Sequence, residues 1–365
     1  MLKKTYYPFT EVVEQNDIKQ ALILNLINPK IGGVIINGGR GTAKSTLVRS
    51  LVPLVDCPFI EVPVSVSEDC LCGSIDLERT LKDGKVSVSE GLLAKANGGI
   101  LYIDEINLLP DNISDLLIQT LSSGEIKVER EGISNKQKSS FIVIGTMNSE
   151  QGDIRPQLID HFGLFAQAQE IDDVGKRVEV VRRIASFEAD PLGFSLAQKD
   201  KETELLRSIK AAQTLLKKIS ITDENLDYII SSCIEAGVEG HRADLVMVQT
   251  AMAVAAFHGR SEVSSQDIDE AAYFVLPHRR NLKSPPPMQD QRSEDNNSGE
   301  HQGEETDSNG NDNDSTESAQ NQPSSESGGN SSKTSCHYNG KKQAAKIGND
   351  FKVISFSHRK DRKVR

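Results

Sequence analysis

Residues 38–45 read Gly38-Gly39-Arg40-Gly41-Thr42-Ala43-Lys44-Ser45. They follow the apolar run Gly33-Val34-Ile35-Ile36-Asn37 and precede Thr46-Leu47-Val48-Arg49-Ser50-Leu51. This order predicts a strand, a glycine-rich loop and a helix, the arrangement in which successive N–H groups and a helix N-terminus face one anion. The stretch matches G-x-x-x-x-G-K-[ST] except at Ala43, where the motif has glycine. We therefore predict that residues 38–46 bind the phosphates of a nucleotide.

A second apolar run ends in two carboxylates. It reads Gly98-Gly99-Ile100-Leu101-Tyr102-Ile103-Asp104-Glu105 and is typical of a central strand in a parallel sheet covered on both faces. Side chains at the C-terminal end of such a strand lie where open α/β sheets bind ligands. We expect Asp104 and Ser45 to hold Mg²⁺, directly or through water, and Glu105 to orient and polarise the attacking water. The alternative is an acidic helix cap after a core strand.

Two other residues are candidates for contact with the nucleotide. Asn148 follows the apolar run 141–147, where its amide is placed to hydrogen-bond a γ-phosphate or the attacking water; the alternative is a turn residue that ends the strand. Arg242 begins a predicted helix, and its guanidinium is a candidate to bind a neighbouring γ-phosphate in bidentate fashion. The alternative for Arg242 is a surface cation.

The pattern along the chain predicts an α/β fold, in which a parallel sheet is sandwiched by helices and followed by an all-α unit. We place the α/β nucleotide-binding domain at 1–170 and the helical domain at 171–283. Helical spacing of apolar residues also predicts a helix over 9–28, one over 108–121, and a helix after the phosphate loop to about 55. A hairpin is predicted with arms at 125–134 and 135–140, and Asp223 and Ser264 are predicted N-caps. The helices predicted in the second domain are 174–187, 197–219, 224–236, 243–258 and 265–274.

The C-terminal part of the sequence has a different composition. Residues 284–332 are rich in Ser, Asn, Asp, Glu, Gln and Gly, which predicts a disordered acidic linker, and 333–365 form a basic tail. Net charge is −10 over 286–332, +8 over 333–365, and −11 for all 365 residues. The acidic balance of the remainder argues against a nucleic-acid partner, because phosphate neutralisation drives that affinity. No apolar run is long enough for a membrane span, and the five cysteines are scattered without a secretory signal, so we expect a cytoplasmic protein.

The motifs together resemble an AAA+ ATPase, and several longer strings resemble the ATPase subunits of magnesium chelatase. The similarity covers roughly 7–283, and the acidic, proline-bearing stretch resembles the linker of the larger, D-type subunit of that family. The strings that carry it are Gly91-Leu92-Leu93-Ala94, residues 99–109, residues 128–134, Gly145-Thr146-Met147-Asn148 and Arg155-Pro156-Gln157-Leu158-Ile159-Asp160. The resemblance implies an AAA+ core and helical lid that bind ATP and Mg²⁺ within a hexamer-like ring of AAA+ subunits. It also implies an integrin-like (VWA) partner and a large chelatase subunit, with ATP driving metal insertion into a tetrapyrrole.

One departure from the family affects catalysis, and a second affects the phosphate loop. The family typically has Asp-Arg-Phe where this chain has Asp160-His161-Phe162, and that arginine is the trans finger that reaches the neighbour's nucleotide. A neutral imidazole does not replace a guanidinium, so Arg155 is a candidate to take over the role. The methyl group of Ala43 is a small change if the backbone there is helical, and we expect ATP binding to survive it.

Two other functions remain open from the sequence. One is a MoxR-like AAA+ chaperone that acts with an integrin-like partner in the maturation of a metalloprotein. The other is an assembly platform that binds ATP but hardly hydrolyses it, which is consistent with His161. A DNA-remodelling ATPase is disfavoured by the acidic charge of the core.

Overall fold

A five-stranded parallel sheet forms the centre of the structure, which is a computed structural model describing residues 5–75, 88–130, 133–238 and 240–279. The first strand of this sheet is buried, as its run of Val and Ile requires of a strand covered on both faces. In chain order the strands are β1 (Gly33–Asn37), β2 (Phe59–Val62), β3 (Gly73–Ile75), β4 (Val88–Glu90), β5 (Ile100–Ile103), β6 (Glu125–Arg130), β7 (Ile133–Lys138), β8 (Ile142–Met147) and β9 (Leu164–Gln167).

The order of strands in the main sheet is β2-β5-β8-β1-β9, and every neighbouring pair in it is parallel. The first strand in sequence therefore lies between the two last ones, so the C-terminal ends of β1, β5 and β8 meet at one edge. Open α/β sheets bind ligands at this edge, outside the carboxyl ends of the strands. The other four strands form two antiparallel pairs, β3 with β4 and β6 with β7.

Helices cover the sheet and continue the chain beyond it. Those between Asn16 and Ile159 are α1 (Asn16–Ile27), α2 (Lys44–Arg49), α3 (Glu68–Cys72), α4 (Leu92–Lys95), α5 (Asp111–Ser123) and α6 (Pro156–Ile159). Those after the last strand are α7 (Val174–Ala189), α8 (Pro191–Ala197), α9 (Lys199–Leu216), α10 (Asp223–Glu235), α11 (Arg242–Phe257) and α12 (Ser265–Val275). Within these described residues, no helix is long and apolar enough to cross a membrane.

Two apolar clusters form the core. The larger one joins α1 and one face of the sheet to the last four helices, with Leu22, Ile36, Leu205 and Met247 among its buried members. The smaller one lies on the other face, where Leu101 and Ile103 of β5 pack with Leu117 of α5. The described residues all fall within one compact unit by their contacts, so the predicted boundary at 170 stays a prediction. The predicted linker and tail at 284–332 and 333–365 lie outside the described residues.

The predicted α/β architecture with helices after the sheet is confirmed, but the ends of several elements differ. Helix α1 begins at Asn16 rather than Phe9, because Glu14 and Gln15 adopt left-handed backbone with φ of 56° and 58°. Helix α5 begins at Asp111 rather than Leu108, since Pro110 precedes it in extended backbone. Helix α2 ends at Arg49, well before the predicted end near 55.

Two local predictions in the connecting segments are also corrected. The first arm of the hairpin ends at Arg130 and the second starts at Ile133, so the turn falls earlier than predicted. Thr222, not Asp223, is the N-cap of α10, and its side chain accepts from the Asn225 N–H. Ser264 caps α12 as predicted, within a reciprocal capping box with Asp267. The sequence also predicts a hairpin-like stretch at 82–88, which lies, except for its last residue, outside the described residues.

Candidate nucleotide-binding site

The phosphate loop connects the end of β1 to the start of α2, as predicted. The Gly38 N–H donates to the Met147 carbonyl at 3.2 Å, so the loop begins against the end of β8. A Cβ at Gly38 would stand 2.4 Å from the Ala168 Cβ, which explains the glycine there. Gly41 has φ +77° and Ala43 has φ 62° with ψ 18°, so the backbone at position 43 is left-handed rather than helical.

The Lys44 side chain points back over the loop. Its ammonium donates to the carbonyls of Gly38 and Gly39, both at 2.6 Å. Partial burial lowers the pKa of this lysine, whereas Asp104 and Glu105 act to raise it. The first-turn N–H groups of α2 have no acceptor within the helix. A cation and free backbone donors therefore lie together at the helix N-terminus, which is the chemistry that binds phosphate.

Ser45 and Asp104 lie in direct contact at the C-terminal edge of the sheet. The Ser45 Oγ donates to Asp104 Oδ1 at 3.0 Å, and Thr146 donates to the same carboxylate oxygen. Burial alone raises the pKa of Asp104, but the hydroxyl groups of Thr146, Tyr102 and Ser45 outweigh it and hold the pKa below its usual value. An ionised carboxylate beside a hydroxyl oxygen offers the hard oxygen ligands that Mg²⁺ requires. The residues present therefore fit a magnesium ion bound next to the phosphate loop.

Thr146 was not predicted from the sequence as part of this site. It is buried on β8, where Gly145 pairs with Ile103 of β5, so Thr146 lies level with Asp104. Besides its bond to Asp104, its Oγ1 accepts from the Glu105 N–H at 3.2 Å. One feature of the sequence could have indicated Thr146: it is a hydroxyl residue two positions before Asn148, at the same predicted sheet edge as the two carboxylates.

Glu105 and Asn148 lie at the predicted edge but in different surroundings. Glu105 is exposed and has φ 53° with ψ 50°, a left-handed conformation that is strained for a side chain of this kind. That turn directs the chain away from β5 directly after Asp104. Asn148 is buried, and its Oδ1 accepts from the Glu150 N–H at 3.2 Å. The Asn37 side chain of β1 accepts from the adjacent Ser149 N–H, which places Asn148 beside the phosphate loop.

A cavity of about 600 Å³ opens next to the phosphate loop, and it too was not predicted. On one side it is lined by Arg40, Gly41, Thr42, Ala43 and Thr46 of the loop and α2. The other walls are mostly apolar, and they comprise Tyr7, Val12, Val13, Ile171, Val180, Val181 and Ile184, with Gln15, Gln169, Glu170 and Arg177 between them. An apolar cavity beside a phosphate site has the dimensions and chemistry for a nucleoside.

The AAA domain family, dynein-related subfamily, matches residues 33–162, and the AAA lid domain family matches 226–300. A magnesium-chelatase subunit ChlI homolog of Methanocaldococcus jannaschii is 39% identical over 333 residues, which is 80% of this chain and 91% of that protein. The magnesium-chelatase 38 kDa subunit of Chlorobaculum parvum is 38% identical over 75% of this chain and 91% of its own length. The chain belongs to the AAA+ ATPases of the magnesium-chelatase ChlI family.

A crystal structure of a protein from Cytophaga hutchinsonii is similar in fold to this AAA+ ATPase, with a TM-score of 0.56. It is 20% identical in sequence, and the match covers 74% of this chain and 84% of that one. At that identity the likeness concerns the fold alone. The family uses a nucleotide and Mg²⁺, for which Lys44, Ser45 and Asp104 have the geometry described above.

The two candidate arginines of this AAA+ ATPase lie away from its own phosphate loop. The Arg155 guanidinium donates to Asp115 at 2.7 Å and to the Asp111 carbonyl at 3.2 Å, at the start of α5. Arg242 contacts the His161 ring, with Nη2 2.9 Å from Nδ1, and its Nη1 lies 3.7 Å from the Asp160 carboxylate. His161 lies beside Gly32, just before β1, and Gly163 donates to the Gly33 carbonyl.

Arg242 therefore lies at the N-terminal edge of the sheet, whereas the phosphate loop lies at the C-terminal edge. The five residues of β1 separate the two edges by roughly 16 Å. The structure thus brings together Lys44, Ser45, Asp104 and Glu105, with Asn148 next to them, and places Arg155 and Arg242 elsewhere.

Proposed function

We propose that this AAA+ ATPase is the motor subunit of a chelatase-like complex, in which ATP binding and hydrolysis drive metal insertion into a tetrapyrrole held by another chain. The observation that carries its ATP-dependent part is the convergence of Lys44, Ser45, Asp104 and Glu105 at one sheet edge. The names and the coverage of the two relatives support the chelatase part.

Each residue of the site has a role in this proposal that follows from its position. Lys44 and the loop N–H groups of 38–46 bind the phosphates, and Ser45 with Asp104 holds the Mg²⁺ that neutralises them. Glu105 orients a water for attack and accepts its proton, and Asn148 orients the same water or the γ-phosphate. Tyr102 lies behind Asp104, and its buried hydroxyl helps to hold the pKa of that carboxyl down, so it favours the ionised form that binds Mg²⁺.

The proposal includes a ring of subunits. Arg242 is too far from its own phosphate loop to bind that nucleotide, which favours a role on the nucleotide of the next subunit in a head-to-tail ring. Arg155 is the less favoured candidate because two aspartates hold its guanidinium. The further partners in the proposal are a D-type subunit with an integrin-like domain and a large subunit that binds the tetrapyrrole.

The test is ATP binding, ATP turnover and metal insertion by three forms of the full chain, assayed alone and with the other chelatase subunits. Lys44→Ala should weaken ATP binding at least a hundredfold, because it removes the cation that binds the phosphates. Glu105→Gln should keep ATP affinity within about twofold and lower turnover at least a hundredfold, since the amide cannot accept the proton. Unchanged ATP affinity in Lys44→Ala would refute the site. Metal insertion at the wild-type rate by Glu105→Gln would refute the motor role.

A second candidate function is supported by one observation, the imidazole of His161 at the position of the family's trans arginine. An ATP-binding assembly platform would bind ATP with normal affinity and turn over slowly. Turnover of the wild-type ring, measured per site with and without its partner subunits, separates this function from that of a motor. Wild-type turnover no faster than that of Glu105→Gln under every condition would favour the platform.

A further inference from the structure

We propose that His161 is a positioning residue for Arg242: it fixes the guanidinium at the N-terminal edge of the sheet, from where the arginine reaches a phosphate held by a second copy of this chain. This inference rests on the proposed role of Arg242 in the ring and deepens it. It assigns a function to the imidazole of His161, which in comparison with the family's arginine shows only that a cation is missing.

The hydrogen bonds determine which form of the imidazole is present. A guanidinium has only donors, so the Arg242 Nη2 donates and the His161 Nδ1, 2.9 Å away, accepts with its lone pair. The proton of the neutral ring therefore resides on Nε2, which faces the Ser122 Oγ at 3.4 Å. Ser122 in turn donates to the Ile118 carbonyl at 2.7 Å, so its oxygen is free to accept. One chain of donors thus runs from Arg242 through His161 to helix α5.

The two side chains of the His161–Arg242 contact differ in their burial. His161 is 9% exposed and its ring is fixed from both nitrogens, whereas the Arg242 side chain is 44% exposed. The imidazole is therefore part of the core and the guanidinium extends from it towards solvent. Asp160, whose carboxylate lies 3.7 Å from Nη1, supplies the second contact. An arginine held by an imidazole on one side and a carboxylate near the other keeps further N–H groups for an anion.

Charged and titratable groups lie near the ring on the packed elements. Arg242 of α11 faces Nδ1, while Arg279 and His278, which follow α12, donate to the Phe162 carbonyl one residue along the chain. Asp160 is the acidic group beside them. Burial and Arg242 both lower the pKa of His161, with Asp160 opposing them. A neutral imidazole is therefore the form that coexists with this arginine, and its protonation would remove the acceptor and add a repelling charge.

The experiment compares His161→Leu with His161→Asn in the full chain. Leucine fills the space without an acceptor, whereas the asparagine Oδ1 takes the place of Nδ1. We expect Leu to lower ring turnover about tenfold or more, the effect of one hydrogen bond to a charged group, and Asn to keep most of the activity. ATP affinity and the thermal midpoint should change little in either variant. A purely structural role would lower the midpoint of both variants together.

A double variant separates positioning through Arg242 from any other effect. If His161 acts through the arginine, His161→Leu adds nothing to Arg242→Ala, so the double variant hydrolyses ATP as slowly as Arg242→Ala alone. Additive losses, or full turnover in His161→Leu while Arg242→Ala is slow, would overturn the positioning role and leave the role of Arg242 intact. Full turnover in Arg242→Ala would reject both, whereas the Lys44 and Glu105 variants would still test the motor.

If His161→Leu does not fold, a second measurement still tests the proposal. In that case the wild type and His161→Asn are compared in their pH dependence. The wild-type rate should fall as the medium is acidified enough to protonate His161, and the rate of the Asn variant should lack that limb. Identical acid limbs in the two proteins would overturn the proposal.

Discussion

Ala43 has a backbone conformation in the phosphate loop that is unfavourable for a residue with a side chain. Its backbone is left-handed, with φ 62° and ψ 18°, directly before the first residue of α2. That conformation costs an L-residue about 1–2 kcal/mol, and glycine avoids the cost. The sequence-based expectation of a small change held only for a helical backbone, so the alanine carries a cost that the motif's glycine would not.

Replacement of this residue by glycine should stabilise the protein. For Ala43→Gly we expect a rise of about 0.5–1 kcal/mol in the free energy of unfolding, because relief of the left-handed strain exceeds the added entropy of the unfolded chain. The matched control is Gly41→Ala, at φ +77° with no atom within 4 Å of an added Cβ, which should destabilise by about 0.5–1 kcal/mol, since the same two effects act in the opposite direction. Urea unfolding of both variants without nucleotide measures the two effects. A destabilised Ala43→Gly would show that the loop does not adopt this backbone in solution.

Residues of the site were predictable from the sequence where a suitable side chain directly follows a recognisable motif or strand. Ser45 and Asp104 follow a loop motif and a buried strand, and each pattern alone determines a position at the sheet edge. Thr146 escaped prediction because a threonine in an apolar strand is usually read as part of the core. The contact of His161 with Arg242 joins residues 81 positions apart, and a local sequence pattern does not predict a contact over that distance in the chain.

At the scale of elements, the short segment after α12 fastens the helical part of the chain to the sheet. His278 donates to the Phe162 carbonyl at 3.1 Å and stacks on Phe165 of β9, with ring centroids 5.9 Å apart. Arg279 donates to the Gly163 carbonyl at 3.0 Å and also to that of Phe162. The Arg279 side chain is 5% exposed and His278 is partly buried next to β9, so their protonation and pairing affect the attachment directly.

This segment should make the protein sensitive to acid. Burial, and then Arg279, lower the pKa of His278 from 6.5 to about 3. Between these two pH values the unfolded chain therefore binds a proton at this histidine and the folded chain does not. The stability present above pH 6.5 is therefore lost as the pH falls towards 3, with a slope of at most about 1.4 kcal/mol per pH unit from this residue. His278→Gln should flatten the dependence of the unfolding free energy on pH between 6 and 4, measured by urea titration. An unchanged slope in His278→Gln would contradict the assignment.

The elements themselves were predictable in type more than in extent. Apolar periodicity located the central strands and five of the six helices of 174–275, because burial on one or both faces imposes that pattern, whereas α8 was not predicted. The start of α1 was wrong because the left-handed backbone of Glu14 and Gln15 is set by tertiary contacts, among them hydrogen bonds of the Gln15 side chain to Gln169. The apolar cavity was missed for a related reason, as its walls come from four separate segments of the chain.

At the scale of the whole molecule, the two edges of the sheet carry different candidate groups. The C-terminal edge holds the phosphate loop and Asp104, and the N-terminal edge holds Arg242 with His161. One copy of the chain does not bring these two groups together across β1. The proposed head-to-tail ring would bring them together by setting the N-terminal edge of one subunit against the C-terminal edge of the next.

This arrangement predicts that two inactive variants restore activity when they are mixed. Arg242→Ala keeps its phosphate loop but lacks the arginine, whereas Lys44→Ala keeps the arginine but does not bind nucleotide. In a randomly mixed ring of equal parts, about a quarter of the interfaces pair an intact loop with an intact arginine, so we expect up to about that fraction of wild-type turnover. The controls are each variant alone and a mixture of Arg242→Ala with the double variant Lys44→Ala/Arg242→Ala, which supplies no arginine. If Arg242 acted on the nucleotide of its own subunit, the first mixture would stay as inactive as the control mixture, and the ring as proposed would be wrong.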